Sequence, residues 1–135
     1  MDVAVVGLGR FGSSLALSLE AQGHHVLGID EDRDIVQAIS DQLSQAVVLD
    51  STNEDALLAV DITAFDTVVV AIGSDFESNL LTTVALKAIG VKRVICKAPR
   101  RRQRDILLKV GAARVIQPEH EAGMQLAEEL STPSV

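Results

Sequence analysis

The feature that most constrains the fold is a glycine-spaced segment near the N-terminus, VAVVGLGRFG, which covers residues 3–12. Four apolar residues predict a buried strand, and glycines follow at Gly7, Gly9 and Gly12 before a stretch with helical periodicity. In such a G-x-G-x-x-G sequence the first glycine permits a tight turn, the second lets the backbone approach a pyrophosphate, and the third lets the helix pack closely on the sheet. The segment therefore predicts a β-α unit whose helix N-terminus binds phosphate.

A second apolar run ends on an acidic residue where a nucleotide site of this kind needs one. The predicted strand His25–Asp30 closes on Asp30. A carboxylate there accepts hydrogen bonds from ribose hydroxyls and repels a 2′-phosphate, which favours NAD or an adenine mononucleotide over NADP. The alternative is an ordinary strand-end or capping residue, because Asp32 and Asp34 follow directly.

Apolar runs alternate with helix-period stretches along the whole chain. The predicted strands are Asp2–Val6, His25–Asp30, Ala46–Asp50, Thr67–Gly73, Arg93–Lys97 and Arg114–Gln117. The predicted helices are Phe11–Gln22, Arg33–Gln42, Glu54–Val60, Phe76–Ile89, Arg101–Val110 and Glu119–Leu130. Several strands are apolar almost throughout, as expected when both faces are buried. The alternation predicts an α/β fold, a Rossmann-like doubly wound parallel sheet of about six strands in the order 3-2-1-4-5-6.

Length and charge limit the classes of function. The 135 residues fit one domain, which we divide into a nucleotide-binding part, residues 1–117, and a departing C-terminal helix, residues 118–135. Apolar runs such as Val68–Ile72 are too short to span a bilayer, and we expect no signal peptide. The net charge of −7 argues against nucleic acid as a partner. A single cysteine, Cys96, forms no internal disulfide, which suits a reducing cytoplasm.

Basic residues stand at two predicted helix N-termini, where the helix dipole opposes them. Arg10 lies inside the glycine loop, either as a solvated side chain or as a contact to a phosphate on its own or a neighbouring subunit. Five of the twelve basic residues fall within Cys96–Arg104. This run is either a solvated face or a surface for an anion, and Lys97, at the end of its strand, is the member closest to the predicted pocket.

Two further strand ends should reach the same edge of the sheet. Asp50, Ser51 and Thr52 leave the third strand. They either hydrogen-bond an adenine edge or form an N-cap cluster for the next helix, with Ser51 or Thr52 as the cap. Ile72 and Gly73 end the fourth strand, which flanks the topological switch point together with the first, so their position places them over the base or ribose.

Taken together, the chain resembles the RCK family, also called KTN, which includes the TrkA-N-like domains of regulators of Trk- and Ktr-type potassium uptake. The segments that carry the resemblance occur in family order over nearly the whole chain: GLGRFG at Gly7–Gly12, GHHVLGID at Gly23–Asp30, DST at Asp50–Thr52, VVVAIG at Val68–Gly73, NLLTTVALK at Asn79–Lys87, CKA at Cys96–Ala98 and GAARVIQPE at Gly111–Glu119. The resemblance implies a Rossmann-like domain that binds ATP, ADP or NAD(H). It also implies a homodimer, assembled into an octameric ring, on the cytoplasmic face of the membrane beside a potassium channel or transporter.

The resemblance assigns roles to particular residues. Arg10 would reach a phosphate across the dimer interface, and Glu119 would coordinate a divalent cation there. The implied nucleotide-binding residues are Gly7, Gly9, Arg10, Phe11, Gly12, Asp30, Asp50, Ser51, Thr52, Ile72, Gly73, Lys97 and Arg100.

The expected activity is regulation rather than catalysis. The sequence offers no nucleophile–base pair and no second domain to place a hydride acceptor, so ligand binding that shifts a conformational equilibrium is the expected output. One alternative is the cofactor domain of an NAD-dependent oxidoreductase that belongs to a longer chain. Another is an adenine-nucleotide sensor for a different membrane transporter.

Overall fold

Residues 1–133, the part of the chain that the computed structural model describes, contain a parallel sheet of six strands in the order β3-β2-β1-β4-β5-β6. The strands are β1 (Asp2–Val6), β2 (His25–Asp30), β3 (Gln45–Val48), β4 (Thr67–Val70), β5 (Val94–Lys97) and β6 (Arg114–Ile116). The helices are α1 (Arg10–Ala21), α2 (Arg33–Ile39), α3 (Glu54–Ala59), α4 (Phe76–Ala88), α5 (Arg101–Lys109) and α6 (Pro118–Ser131). The predicted Rossmann-like fold and strand order are confirmed.

The sheet is buried on both faces, because its central strands carry apolar side chains at successive positions. In β1, Val3 and Val5 point to the core beneath α1 and α2, whereas Ala4 and Val6 point to the core shared with α3, α4 and α5. Apolar burial on both faces is the arrangement expected of a parallel sheet that helices cover on each side.

Several predicted strand and helix ends were too long, and the differences cluster at the carboxyl edge. The fourth strand stops at Val70 rather than Gly73, and the third stops at Val48 rather than Asp50. Helix α2 ends at Ile39, and residues 40–42 form a 3₁₀ turn instead of a last α-helical turn. The shorter strands leave residues 49–53 and 71–75 free of the sheet, which opens space between the strand ends.

Helix α6 differs from the other helices because none of its residues is buried. Its apolar side chains Met124, Leu126 and Leu130 are 60%, 55% and 78% exposed. The helix begins at Pro118, one residue before the predicted start. The division at residue 117/118 stays a prediction, and the last two residues assigned to that segment, 134 and 135, lie outside the described part. No helix within residues 1–133 is long and apolar enough to cross a bilayer.

Candidate functional site

A cavity of about 340 Å³ opens at the carboxyl edge of the sheet, between the ends of β1 and β4. This is the topological switch point at which open α/β sheets bind ligands. The cavity, called the first cavity below, is lined by Val6, Gly7, Gly9, Ile29, Asp30, Glu31, Asp32, Ile35, Leu49, Asp50, Ser51, Thr52, Ala71, Ile72, Gly73, Ser74, Asp75 and Ser78.

The three glycines of the loop between β1 and α1 have different surroundings. Gly7 has φ +93°, and a Cβ there would lie 2.9 Å from the carbonyl carbon of Ala71. A Cβ on Gly12 would lie only 1.8 Å from the Gly7 carbonyl oxygen, whereas one on Gly9 would meet nothing within 4 Å. Gly7 and Gly12 therefore allow close packing of the chain on itself, and Gly9 keeps a surface open toward the cavity.

The N-terminus of α1 has no cap from its own chain. Gly9 occupies the N-cap position and supplies no side-chain acceptor, and the first turn contains no acidic residue. The first amides of a helix lack intrahelical partners and carry partial positive charge. An anion is therefore the natural partner for this helix end.

Asp30 stands opposite the glycine loop, at the end of β2. Its Oδ2 accepts a hydrogen bond from the Leu8 amide at 2.8 Å, and its Oδ1 accepts one from the Asp32 amide at 2.9 Å. The carboxylate therefore fixes the glycine loop against β2. A carboxylate has about four acceptor positions, so two remain for ligand hydroxyls. The two interpretations of Asp30, structural residue and ribose acceptor, are compatible.

The first cavity is acidic. Its lining includes five carboxylates, Asp30, Glu31, Asp32, Asp50 and Asp75, and no lysine or arginine. A hydrogen bond from the Thr52 hydroxyl is the main cause that lowers the pKa of Asp50, and one from Ser78 likewise lowers the pKa of Asp75. Both groups stay charged at neutral pH. Such a lining favours hydroxyl and amine donors, and it opposes an additional phosphate.

The turn after β3 corrects one of the two sequence interpretations. The N-cap of α3 is Asn53, whose side chain accepts from the Ala56 amide at 3.2 Å, and it is neither Ser51 nor Thr52. The Ser51 hydroxyl is instead buried in a 2.7 Å hydrogen bond with Thr82 of α4. Ser51 and Thr52 line the first cavity, so the adenine-edge interpretation remains a prediction.

A second, smaller cavity of about 150 Å³ adjoins the first and shares Gly73 and Ser74 with it. Lys97 lines this second cavity, with its ammonium 5.5 Å from the centre of the Phe11 ring. A Cβ on Gly73 would lie 2.9 Å from Lys97 Nζ. The ammonium therefore stands where the second cavity, Gly73 and the first turn of α1 meet.

The remaining predicted site residues lie outside the lining of the first cavity. Arg10 is exposed as the first residue of α1, and Arg100 is exposed at the N-cap of α5. Phe11 lies beneath Lys97, and Gly12 is buried against the loop. Glu119 lines the second cavity, but within residues 1–133 no three His, Cys, Asp or Glu side chains are close enough together to hold a metal ion.

Sequence reasoning missed the polar residues at the start of α4. Asp75 caps this helix by accepting from the Ser78 amide at 3.2 Å and the Ser78 hydroxyl at 2.8 Å, and both residues line the first cavity. The signal was an aspartate three residues before a serine at a predicted helix start. It was overlooked because residues 71–73 were assigned to the strand.

Comparison with known proteins links this geometry to a family. The family model for the TrkA-N domain matches residues 3–118. Ktr system potassium uptake protein A of Bacillus subtilis is 38% identical over 132 residues, which are 98% of this chain and 60% of that protein. The protein of the same name from Vibrio alginolyticus is 37% identical over 94% of this chain and 58% of its own length. The chain thus spans about 60% of the length of these relatives.

Solved structures show the same fold. The NAD(P)-binding domain of an exopolyphosphatase-related protein from Archaeoglobus fulgidus superposes with a TM-score of 0.85 at 23% identity, covering 95% of this chain and 96% of that one. The AMP-bound Kef C-terminal domain of Shewanella denitrificans gives 0.77 at 23% identity, covering 98% and 83%. The GsuK channel bound to NAD gives 0.77 at 15% identity, covering 85% and 21%.

Proposed function

This chain belongs to the TrkA-N domain family, and on that premise we propose that it is a nucleotide-binding regulatory domain of a potassium transporter or channel. One observation carries the proposal: the first cavity lies at the switch point, with the uncapped N-terminus of α1 on one side and the Asp30 carboxylate on the other. An anionic group and a ribose find complementary partners on these two sides.

The proposed ligand is an adenine nucleotide, either ATP or ADP, or NAD(H). Its ribose hydroxyls donate to Asp30, its phosphates lie at the glycine loop, and its base lies near Asp50, Ser51, Thr52 and Ile72. The AMP-bound Kef domain and the NAD-bound GsuK channel, which share this fold, support this class of ligand. The acidic lining disfavours NADP(H), because the 2′-phosphate would stand among carboxylates.

The cations that would balance the phosphates lie outside the first cavity. Lys97 is the last residue of β5, Arg100 precedes α5, and Arg10 begins α1. We propose that Arg10 contacts a terminal phosphate across a homodimer interface. Helix α6, which has no buried residue, supports such an interface. We propose that the dimers join into an octameric ring and that Glu119 coordinates a divalent cation at the interface.

The proposed output is conformational and not catalytic. A nucleotide shifts the assembly only through its differential affinity for two arrangements, and the favoured arrangement acts on a membrane-embedded potassium transporter subunit from the cytoplasmic face. The potassium uptake proteins among the relatives support this partner. The alternative is the cofactor domain of an NAD-dependent oxidoreductase, which the NAD(P)-binding neighbour supports.

Calorimetric titration with ATP, ADP, NADH and NADPH tests the proposal. The wild type should bind the first three, and NADPH much more weakly. Asp30→Ala should weaken every adenosine ligand by about 1.5–3 kcal/mol, since a charge-assisted hydrogen bond is lost. Arg10→Ala should weaken ATP more than ADP and leave NADH nearly unchanged, because a guanidinium gains most where anionic charge is densest.

Two results would contradict the proposal. Equal binding of NADH and NADPH would remove Asp30 from the ribose site, and an equal loss of ATP and ADP in Arg10→Ala would make Arg10 a general structural cation. Turnover of NADH with a panel of carbonyl substrates would favour the oxidoreductase alternative. Light scattering with and without nucleotide measures the assembly in the same samples.

A further inference from the structure

One buried amide joins the strand ends that border the two cavities. Asn79 lies in the first turns of α4 and is only 1% exposed. Its Nδ2 donates to the Ile72 carbonyl at 3.1 Å and to the Lys97 carbonyl at 2.8 Å. Ile72 lines the first cavity, whereas Lys97 lines the second.

The Asn79 side chain makes these hydrogen bonds beyond the last paired residues of β4 and β5. The last residue pair between β4 and β5 is Val70 and Cys96, so the carbonyls of Ile72 and Lys97 lie beyond the ladder. Without Asn79, the two segments that leave the strands would have no direct bond to each other at this level. The separation of the 71–75 loop from Lys97 is therefore set by one side chain from α4.

A neighbouring hydroxyl on α4 contacts the main chain of Asn79 and not its side-chain amide. The Thr83 hydroxyl donates to the Asn79 carbonyl at 2.9 Å and contacts Cys96 Sγ of β5 at 3.2 Å. Asn79 also has a buried Oδ1 without a partner among the described residues, which opposes folding. The side chain thus leaves its Oδ1 without a hydrogen bond, while its Nδ2 donates to two carbonyls.

We propose that Asn79 is a positioning residue for ligand binding, acting through Lys97. By tying the end of β5 to the loop after β4, it keeps the Lys97 ammonium beside Gly73 and over Phe11, next to the phosphate-binding end of α1. The proposal rests on the proposed function and adds a residue that contacts no ligand itself. A purely structural role would affect folding but not the electrostatic part of affinity.

A double-mutant cycle on ADP affinity separates these roles. Lys97→Met should weaken ADP about tenfold, the lower range for loss of a charge-assisted hydrogen bond. Asn79→Ala should weaken it about fivefold, and the double variant about tenfold rather than about fiftyfold, because both changes remove the same contact. Asn79→Ala should also reduce the salt dependence of affinity, as Lys97→Met does, since a displaced ammonium no longer meets the phosphates.

Thr83→Val is the matched control. It removes a buried hydroxyl from the same helix but leaves both Asn79 amide bonds, so it should lower stability without changing ADP affinity or its salt dependence. If Asn79→Ala does not fold, Asn79→Ser, which retains one hydroxyl donor for two carbonyls, enters the cycle instead.

Four outcomes would overturn the inference. Additive losses in the cycle, or a salt dependence that Asn79→Ala leaves intact, would make Asn79 a structural residue while the proposed function stands. Unchanged ADP affinity in Lys97→Met would likewise overturn this inference and leave the proposed function standing. A wild type that binds no adenine nucleotide would overturn the proposed function together with this inference.

Discussion

Two strand-to-helix junctions face the same cavity, and they are built in opposite ways. In the β1–α1 junction, glycines allow the backbone to pack closely on itself: Gly12 lies against the Gly7 carbonyl, and the helix end has no side-chain cap. The β4–α4 junction is held by side chains, with Asp75 capping the helix and Asn79 bridging two strands. The α4 N-terminus is thus already occupied by a carboxylate from its own chain, whereas the α1 N-terminus has no side-chain cap.

On the proposed function, this contrast explains why α1 rather than α4, of two similar helix ends at one edge of the sheet, would take the anion. Both helices begin at the carboxyl edge and carry similar dipoles. The acid at the start of α4 satisfies its amides and adds negative charge, which repels phosphate. Because Gly9 has no side chain, the first amides of α1 have neither a capping acceptor nor a negative charge beside them. Three substitutions test the contrast, beginning with the largest expected effect.

Gly12→Ala should destabilise the domain by more than about 3 kcal/mol, at the upper end of overpacking effects. The new Cβ would lie 1.8 Å from the Gly7 carbonyl oxygen, which is backbone and cannot move aside. Helix propensity alone would make the alanine variant more stable by about 1 kcal/mol. The steric effect and the propensity effect therefore predict stability changes of opposite sign. Denaturant unfolding measures the change, and a stability equal to or above that of the wild type would show that the packing is not tight.

Gly9→Ala should leave stability within about 0.5 kcal/mol, because the added Cβ meets nothing within 4 Å and φ is −71°. Adenine-nucleotide affinity should nevertheless fall about tenfold, since the methyl group keeps phosphate from the amides. Calorimetry and unfolding on the same preparation give both values. Unchanged affinity would place the phosphates elsewhere and remove the functional difference between the junctions.

Asp75→Ala should have the smallest effect, a modest fall in the unfolding midpoint that depends on pH. Hydrogen bonds from Ser78 lower the pKa of Asp75 in the folded protein. The carboxylate therefore stabilises the fold at pH values above its ordinary pKa, and this contribution disappears as the pH falls through the lowered value. The difference between wild type and variant should be largest at neutral pH and should shrink in acid to the smaller contribution of an uncharged cap.

Asp75→Asn serves as the control for that measurement, because it retains an N-cap acceptor without the titrating charge. It should reproduce most of the wild-type stability with less dependence on pH. A pH-independent difference between Asp75→Ala and the wild type would assign the effect to lost packing and not to the charged cap.

The sequence predicted the fold well because its signals were local and repeated. Apolar runs, glycine spacing and the acid at Asp30 each depend on a few neighbouring residues, and the strand order follows from the motif. The strand ends were less predictable: Ala71, Ile72 and Gly73 have strand-like composition but leave the sheet to line a cavity. Apolar character alone does not distinguish a residue buried in a sheet from one facing a pocket.

The sequence predicted which strand ends border the first cavity, which is lined by Gly7, Gly9, Asp30, Asp50, Ser51, Thr52, Ile72 and Gly73. Their roles toward a ligand stay predictions. The role of Asn79 depends on carbonyls 7 and 18 residues away in sequence, which no spacing rule connects. The position of Lys97 in a separate cavity likewise results from how β5 and the loop after β4 diverge, a property of three-dimensional packing.

The strand order has a consequence for how the chain can fold as it is made. β2 pairs with β1, β3 with β2, β4 with β1, β5 with β4 and β6 with β5. Every strand after β1 therefore pairs with one that the ribosome has already produced. The sheet can grow outward from its first strand, first to one side through β2 and β3 and then to the other through β4, β5 and β6. The second edge of β1 stays open until β4 is made, and an open edge of this kind exposes a chain to aggregation during synthesis.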